Sequence, residues 1–330
     1  MLYIDPKTIE EMKKKSYGVW NHSAVQICSW TKKALKKEGT CYKNKFYGID
    51  THRCMEMTPV SVFCTNNCIY CWRPMEFMRL IDINPKDVDN PEDIYNHLLE
   101  ERKKLLVGFF GNEKVDKQLL EEAMIPNHFA ISLSGEPTLY PKLPELVKFL
   151  RSLPQTKSIF IVTNGQEPDM IERLINEDAL PTQLYISITA PNEELYKKIS
   201  VPHYPDAWDR LNRTLDIIRD APTRKVIRMT IIKGMNMDDS IIPEYIKLIK
   251  KADPHFVEVK AYMYLGYSRQ RLSPENMPTH EEIKEFSRKI GEMDKSFTYM
   301  DEQEASRIVV LRNENNIIDP IIRGPVPNLN

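Results

Sequence analysis

The sequence predicts an α/β protein built as a right-handed parallel barrel. Short segments rich in β-branched and aromatic residues alternate with helix-length segments, which is the order expected of repeated βα units. Proline or aspartate stands near the start of several helical segments, where both residues favour helix initiation. Because crossovers between successive parallel strands are right-handed, six such strands in a row indicate a barrel.

The predicted elements alternate along the middle of the chain. The six strands are Thr58–Phe63, His128–Ser134, Ser158–Thr163, Gln183–Thr189, Lys225–Ile232 and Phe256–Ala261. The helices between them are Pro91–Leu106, Pro141–Leu153, Pro168–Glu177, Trp208–Arg219 and Pro243–Lys251. We therefore divide the chain into an N-terminal extension (1–57), a barrel core (58–278) and a C-terminal α+β extension (279–330), which holds a helix, a hairpin and a tail.

The charge balance excludes a tail that coats polyanions. The 330 residues include 46 Lys and Arg and 47 Asp and Glu, a net charge of −1. Residues 1–80, however, carry 13 basic and 7 acidic side chains, a net charge of +6. This lysine-rich part suits an anionic partner, although a solvated helix face has the same composition. With no signal-peptide core and no apolar run of about 18 residues, we expect a cytoplasmic protein with no membrane contact.

Cysteine carries the strongest chemical signal. Cys64, Cys68 and Cys71 form a C-x3-C-x2-C pattern with Tyr70 before the last cysteine. A structural zinc site has four ligands, whereas a four-iron cluster held by three thiolates keeps one iron free to bind substrate. The pattern favours an iron–sulfur cluster, and a zinc knuckle is the alternative.

The remaining cysteines stand just before this motif. Cys28, Cys41 and Cys54 have twelve residues between each neighbouring pair. Widely spaced cysteines are more often small buried hydrophobic residues than ligands. Their regular spacing next to Cys64 favours a second group of three ligands.

The second triplet resembles the cluster motif of radical S-adenosylmethionine enzymes. Both triplets together resemble the tRNA 4-demethylwyosine synthases of the archaeal and eukaryotic wybutosine pathway, over about residues 25–278. This resemblance implies a partial six-stranded (β/α)6 barrel, S-adenosyl-L-methionine and two [4Fe-4S] clusters. It assigns Cys64, Cys68 and Cys71 to the cluster that generates a 5′-deoxyadenosyl radical, and Cys28, Cys41 and Cys54 to the second cluster.

Cofactor contacts are expected where the strands end, at the carboxyl edge of the sheet. Ser134, Gly135 and Glu136 resemble the family's Gly-Gly-Glu motif, with Ser134 in place of the first glycine. Glu136 would accept hydrogen bonds from the S-adenosylmethionine ammonium, and Gly135 would permit close approach; a plain strand-to-helix turn is the alternative. The other contacts implied are Thr163, Asn164, Ser187 and Thr230.

The resemblance also implies a reaction. A lyase of this family condenses N1-methylguanine, 3′ of the anticodon in phenylalanine tRNA, with pyruvate. We expect Lys43, two residues after Cys41, to form a Schiff base with pyruvate; Lys45 is a second candidate, and phosphate binding by both lysines is the alternative. The electron donor would be external and of flavodoxin or ferredoxin type, since no such domain fits before Cys28.

Tyrosines and arginines follow the sixth predicted strand. Tyrosine can stack on an unpaired base and arginine can stack or bind phosphate, so we predict RNA contacts at Tyr264, Tyr267, Arg269 and Arg271. Packed tyrosines beside surface arginines would look the same in sequence. Two other functions remain: another two-cluster radical enzyme, such as a tRNA methylthiotransferase, and a non-enzymatic zinc RNA-binding module.

Overall fold

A computed structural model describes residues 2–329 and contains one mixed ten-stranded sheet. The strands are β1 (Tyr17–Trp20), β2 (Ser23–Gln26), β3 (Cys54–Thr58), β4 (His128–Ile131), β5 (Ser158–Thr163), β6 (Gln183–Ile188), β7 (Arg224–Ile231), β8 (Phe256–Ala261), β9 (Phe297–Gln303) and β10 (Ile308–Asn313). Strands β3 to β8 are parallel neighbours in chain order. Antiparallel strands β2 and β10 pair with β3 and β8, so hydrogen bonds between β3 and β8 do not close a ring.

Helices connect the parallel strands and flank them. They are α1 (Pro6–Lys14), α2 (Ser29–Leu35), α3 (Tyr42–Tyr47), α4 (Pro91–Val107), α5 (Lys117–Ala123), α6 (Leu143–Ser152), α7 (Pro168–Asn176), α8 (Glu193–Ser200), α9 (Ala207–Arg219), α10 (Ile242–Ala252) and α11 (His280–Met293). Proline occupies the first turn of α4, α6, α7 and α10, where its missing N–H costs no helical hydrogen bond. No helix within residues 2–329 has the length and apolar character needed to cross a membrane.

The first predicted strand is misplaced, while the other five overlap observed strands. Strand β3 ends at Thr58, where the prediction starts. Pro59 follows and has no N–H to continue a ladder, so Val60 and Phe63 lie in a turn that faces Gly135. The predicted domain boundary at residue 58 consequently falls inside β3.

The N-terminal extension is part of the sheet. Strands β1 and β2 form a hairpin that adds to the edge of β3. The short helix α3 packs against one face of the sheet, which we call the inner face. Apolar side chains of the inner face that share one buried cluster with α3 include Phe160, Tyr185, Val226 and Phe256. Alternate residues, such as Ile159 and Ile161, lie in the larger core of the opposite face, as the two-residue period of a strand requires.

The C-terminal tail, residues 318–328, crosses the amino ends of β6 and β7. Arg224, the first residue of β7, donates to the carbonyl oxygens of Asp319 and Pro320, each at 2.7 Å. The hydroxyl of Thr182 donates to the Pro325 carbonyl at 2.5 Å. Ile318 joins the apolar cluster of the inner face, so the tail covers this end of the sheet.

A buried histidine makes the stability of the fold depend on pH. Burial, followed by the charges of Lys225 and Arg224, lowers the pKa of His255 to about 3, while its Nδ1 accepts the Lys225 N–H at 2.9 Å. The unfolded chain therefore takes up a proton, with its ordinary pKa near 6.5, that the folded protein does not. Stability conferred by neutral His255 is present above that pH and is lost as the pH falls toward 3.

We expect the stability advantage of wild type over His255→Gln to shrink by about 1.4 kcal/mol per pH unit between pH 6 and pH 4. Urea unfolding of the metal-free proteins at several pH values measures this difference. A constant difference across that range would show that folding does not lower the pKa of His255.

Candidate active site

The second cysteine triplet lies in the loop that follows β3. Burial raises the pKa of all three thiols, that of Cys68 to about 12. Cys68 and Cys71 also raise the pKa of Cys64, so the three thiols lie within electrostatic reach of one another. The backbone N–H of Arg73 donates to the Cys71 thiol and lowers its pKa, which favours the thiolate form that binds metal.

Arg271 holds this loop in place. Its guanidinium donates to the carbonyl oxygens of Ile69, at 3.0 Å, and Cys71, at 2.5 Å, and also pairs with Glu76. Three of the five N–H donors of the guanidinium are used in these contacts. Arg271 therefore positions the cysteine loop, and its predicted contact with RNA stays a prediction.

Gly135 occupies a position that only glycine can fill. Its φ is +72°, and a Cβ atom there would stand 2.0 Å from the Val60 carbonyl oxygen and 2.6 Å from that of Phe63. The next residue, Glu136, donates its N–H to the Phe63 carbonyl at 2.7 Å. The turn after β4 is thereby fixed against the start of the cysteine loop.

The Glu136 carboxylate is buried beside this loop. It accepts hydrogen bonds from the hydroxyl of Thr138 at 2.7 Å and from the backbone N–H of Asn164 at 2.9 Å. Burial raises its pKa, while these donors lower it. Glu136 in turn raises the pKa of Cys64, so the predicted ammonium acceptor and the predicted cluster ligand are neighbours.

Of the other residues predicted at the strand ends, some lie beside the cysteine loop and Glu136, and others lie along the strands. The amide nitrogen of Asn164 donates to the Thr65 hydroxyl at 2.7 Å and lies 3.9 Å from the Cys64 sulfur. Thr163 is buried, and its hydroxyl lies 3.5 Å from that of Thr138. The Ser134 hydroxyl donates to the Ser61 carbonyl at 2.5 Å, so that side chain braces the turn. Ser187 and Thr230 are half-buried on the strands themselves.

The first cysteine triplet is formed by two helix starts and one strand start. Cys28 caps α2 and accepts the Thr31 N–H at 3.3 Å, Cys41 precedes α3, and Cys54 begins β3. Burial raises the pKa of Cys41 to about 11 and that of Cys54 further, and Cys28 adds to both shifts. The helix N-termini supply N–H groups that stabilise thiolates.

The two candidate lysines of α3 point in opposite directions. Lys43 is only 7% exposed, and its Nζ lies 4.4 Å from the ring centre of Phe160 and 4.7 Å from that of Tyr185, on the inner face. Lys45 is exposed and pairs with Asp301 of β9 at 2.7 Å. Only Lys43 lies beside the first triplet, where it lowers the pKa of Cys41 and Cys54.

Two charged residues of the inner face, Glu258 and Lys260, were missed by the sequence analysis. Strand register places Ser187, Arg228 and Glu258 side by side, and Thr230 beside Lys260. Burial and then the charge of Arg228 lower the pKa of Lys260 to about 7. The sequence could have indicated these residues, because side chains alternate between the two faces of a strand. Glu258 and Lys260 therefore lie on one face of β8, an otherwise apolar strand.

A buried ion pair lies between the two triplets. Arg73, two residues after Cys71, donates to the Glu56 carboxylate at 3.1 Å. Glu56 raises the pKa of Cys28 and Cys54 and has its own pKa lowered by Arg73 and Lys43, although burial raises it overall. Charged residues beside both predicted cluster sites, Arg73 and Lys43, therefore interact with the Glu56 carboxylate.

The remaining predicted RNA contacts lie near the cysteine loop. Tyr267 donates its N–H to the Trp72 carbonyl at 3.1 Å, and Lys15 of the basic N-terminal part lies 5.5 Å from the centre of its ring. Exposed Arg269 packs over Tyr264 and donates to its carbonyl at 3.1 Å. Aromatic and basic groups are thus brought together at one surface.

The donor chemistry of the two triplets suits iron–sulfur clusters. Thiolates are the ligands that hold such clusters, and each triplet offers three thiols with N–H donors beside them. Within residues 2–329 there is no group of three or more His, Cys, Asp and Glu side chains placed to hold one metal ion.

Comparisons with known proteins agree with this geometry. Residues 58–242 match the Radical SAM superfamily and residues 251–313 match the family of wyosine base formation. The tRNA 4-demethylwyosine synthase of Pyrococcus horikoshii is 48% identical over 318 residues, covering 96% of this chain and 91% of that protein. Its counterpart in Methanocaldococcus jannaschii is 40% identical over 314 residues, covering 94% and 96%.

A solved structure of TYW1 with a lysine–pyruvate adduct bound superposes with a TM-score of 0.86 at 37% identity, covering 96% of this chain and 99% of that one. Neither the methylthiotransferase nor the zinc-module alternative fits these matches. The chain therefore belongs to the S-adenosyl-L-methionine-dependent tRNA 4-demethylwyosine synthases, a family of radical SAM enzymes that act in wyosine formation.

Proposed function

We propose that this enzyme condenses N1-methylguanine, 3′ of the anticodon in phenylalanine tRNA, with pyruvate to form 4-demethylwyosine through a 5′-deoxyadenosyl radical. The observation that carries the proposal is the position of Lys43. It is buried on the inner face, beside Cys41 and Cys54, while Glu136 and Cys64 meet at the carboxyl edge of the same sheet. The lysine–pyruvate adduct in the similar TYW1 structure supports a lysine in this role.

Two [4Fe-4S] clusters follow from the two thiol triplets. Cys64, Cys68 and Cys71 would hold one, and Cys28, Cys41 and Cys54 the other, within a partial barrel formed by the six parallel strands. When bound, the first cluster would supply the electron that splits the sulfonium of S-adenosylmethionine, and the second would supply a Lewis acid for pyruvate. An electron donor of flavodoxin or ferredoxin type would provide the electron.

The residues at the carboxyl edge orient S-adenosylmethionine. Glu136 accepts hydrogen bonds from its ammonium, because a buried carboxylate with open lone pairs binds a cation strongly. Gly135 lets the backbone approach the cofactor. Hydroxyl and amide groups near the ribose and adenine are those of Thr163, Asn164, Ser187 and Thr230.

Lys43 activates pyruvate. Its amine, once deprotonated, adds to the carbonyl carbon, and loss of water leaves an imine. The rings of Phe160 and Tyr185 keep bulk water away from the Nζ atom. The radical formed on the N-methyl carbon of the guanine would add to the imine carbon, opening the C=N bond and leaving the unpaired electron on the lysine nitrogen. Scission of the bond to the carboxylate would restore the imine and release a carbon dioxide radical anion, which an electron from the external donor and a proton would convert to formate. The exocyclic amine would then add to the imine carbon and expel the Lys43 amine, which closes the ring and frees the lysine.

The basic N-terminal part and the aromatic segment after β8 form the tRNA surface. Lys15 and Tyr267 are in contact, and Tyr264 and Arg269 lie beside them. Phosphate neutralisation by lysines supplies most of the affinity for RNA, whereas tyrosines stack on unpaired bases. We expect this reaction on tRNA to take place in the cytoplasm.

Iron analysis tests the two clusters. After anaerobic reconstitution, wild type should bind about eight iron atoms per chain. The triple alanine variants at Cys64, Cys68 and Cys71 and at Cys28, Cys41 and Cys54 should each bind about four. Four in wild type, all lost from the first variant, would leave a single-cluster enzyme and contradict the second cluster.

Reductive trapping tests Lys43. We expect borohydride to fix labelled pyruvate on wild type, because it reduces an imine to a stable amine, and peptide mass analysis should locate the label at Lys43. The Lys43→Arg variant should take up no label and form no tricyclic base on methylated tRNA. Lys45→Arg is the matched control and should behave as wild type, so label found on Lys45 would contradict the assignment.

A further inference from the structure

Arg102 of α4 is a buried cation with no carboxylate partner. It is 0% exposed, and its guanidinium donates to the carbonyl oxygens of Cys54 at 3.2 Å, His52 at 3.3 Å and Ala123. Its Nε has no hydrogen-bond partner among the residues that the structure describes. Three backbone carbonyls satisfy some of its donors but supply no negative charge.

This arrangement differs from that of Arg73 and Arg271, two other arginines near the cysteines. Arg73 pairs with Glu56, and Arg271 pairs with Glu76. Both Arg271 and Arg102 donate to the carbonyl of the last cysteine in a triplet, Cys71 and Cys54 respectively. Only Arg102 does so without a carboxylate within ion-pair distance, as far as residues 2–329 show.

An uncompensated buried charge costs several kcal/mol in a protein interior. The acidic groups that act on Arg102 are the thiols of Cys54 and Cys28 and, more weakly, the hydroxyl of Tyr95. The guanidinium donates to the carbonyl of Cys54, a member of the first triplet. The thiolates of that triplet are thus the negative charges that this geometry places beside Arg102.

We propose that Arg102 is the counter-cation of the second cluster, fixing Cys54 through its carbonyl and offsetting the negative charge of the cluster held by Cys28, Cys41 and Cys54. This inference rests on the second cluster of the proposed function. Arg102 is a positioning residue, since it reaches the ligands and not the reacting atoms.

The charge has a measurable consequence. Reduction adds an electron to the cluster, so a nearby positive charge stabilises the reduced form. Replacing Arg102 by glutamine removes the charge but keeps amide donors, whereas lysine keeps the charge. A buried arginine remote from the cysteines, Arg224, also donates to backbone carbonyls and serves as the matched control.

The experiment uses a chain in which Cys64, Cys68 and Cys71 are alanine, so that only the second cluster is present. Redox titration followed by electron paramagnetic resonance gives its midpoint potential. At a fixed applied potential we expect Arg102→Gln to lower the ratio of reduced to oxidised cluster about tenfold, a shift of about −59 mV for one electron. Arg102→Lys should remain near the parent, and Arg224→Gln should leave the potential unchanged.

The outcomes separate the two hypotheses. A parent chain that binds no iron contradicts the second cluster itself. If Arg102→Gln binds about four iron atoms per chain and its potential is unchanged, the proposed role of Arg102 is overturned while the second cluster stands. If Arg102→Gln does not fold, Arg102→Met carries the same test, because methionine is uncharged and, being unbranched and flexible, is tolerated in buried positions. If a folded neutral variant loses iron while Arg102→Lys retains it, the result supports the role of Arg102 as a counter-cation. Equal loss of iron from the neutral variant and from Arg102→Lys overturns that role.

Discussion

The partial burial of six thiols is the constraint on which the rest of the site depends. A buried thiol resists ionisation, and burial raises the pKa of every cysteine in the chain, yet a metal ligand must be a thiolate. N–H donors at helix starts and cations on either side of the two triplets favour the thiolate form. Three positively charged side chains interact electrostatically with these sulfurs, those of Arg73, Lys43 and Arg102. Cluster binding and the final packing of this region are therefore thermodynamically linked.

The geometry of α3 decides which lysine reaches the chemistry. Residues two apart on a helix lie about 200° apart around its axis, so Lys43 and Lys45 cannot both face the sheet. Cys41 stands just before the helix, and Gly48, with a φ of +75°, ends it after less than two turns. Such a short helix has little stability of its own, and Tyr42, buried on the inner face, fixes its rotation.

Much of this arrangement could be read from the sequence, because local pattern specified it. The strand Ser158–Thr163 and the strand Phe256–Ala261 were predicted at their observed bounds, since apolar β-branched runs ended by turn residues leave few alternatives. The strand before Pro59 and the β1–β2 hairpin were not foreseen, because their pairing depends on partners distant in sequence. The roles of Arg271 and Arg102 were missed for the same reason: a guanidinium that binds a carbonyl some 50 or 200 residues away leaves no periodic signal.

The tail across the amino ends of β6 and β7 has a kinetic consequence. Ile318 and its neighbours cover that end of the inner face. On the proposed mechanism, a small keto acid joined to Lys43 would lie deeper than a base held at the carboxyl edge, and a seated tRNA would block its path. Substrate addition would then be ordered, with the small molecule first, and excess tRNA would inhibit its own modification.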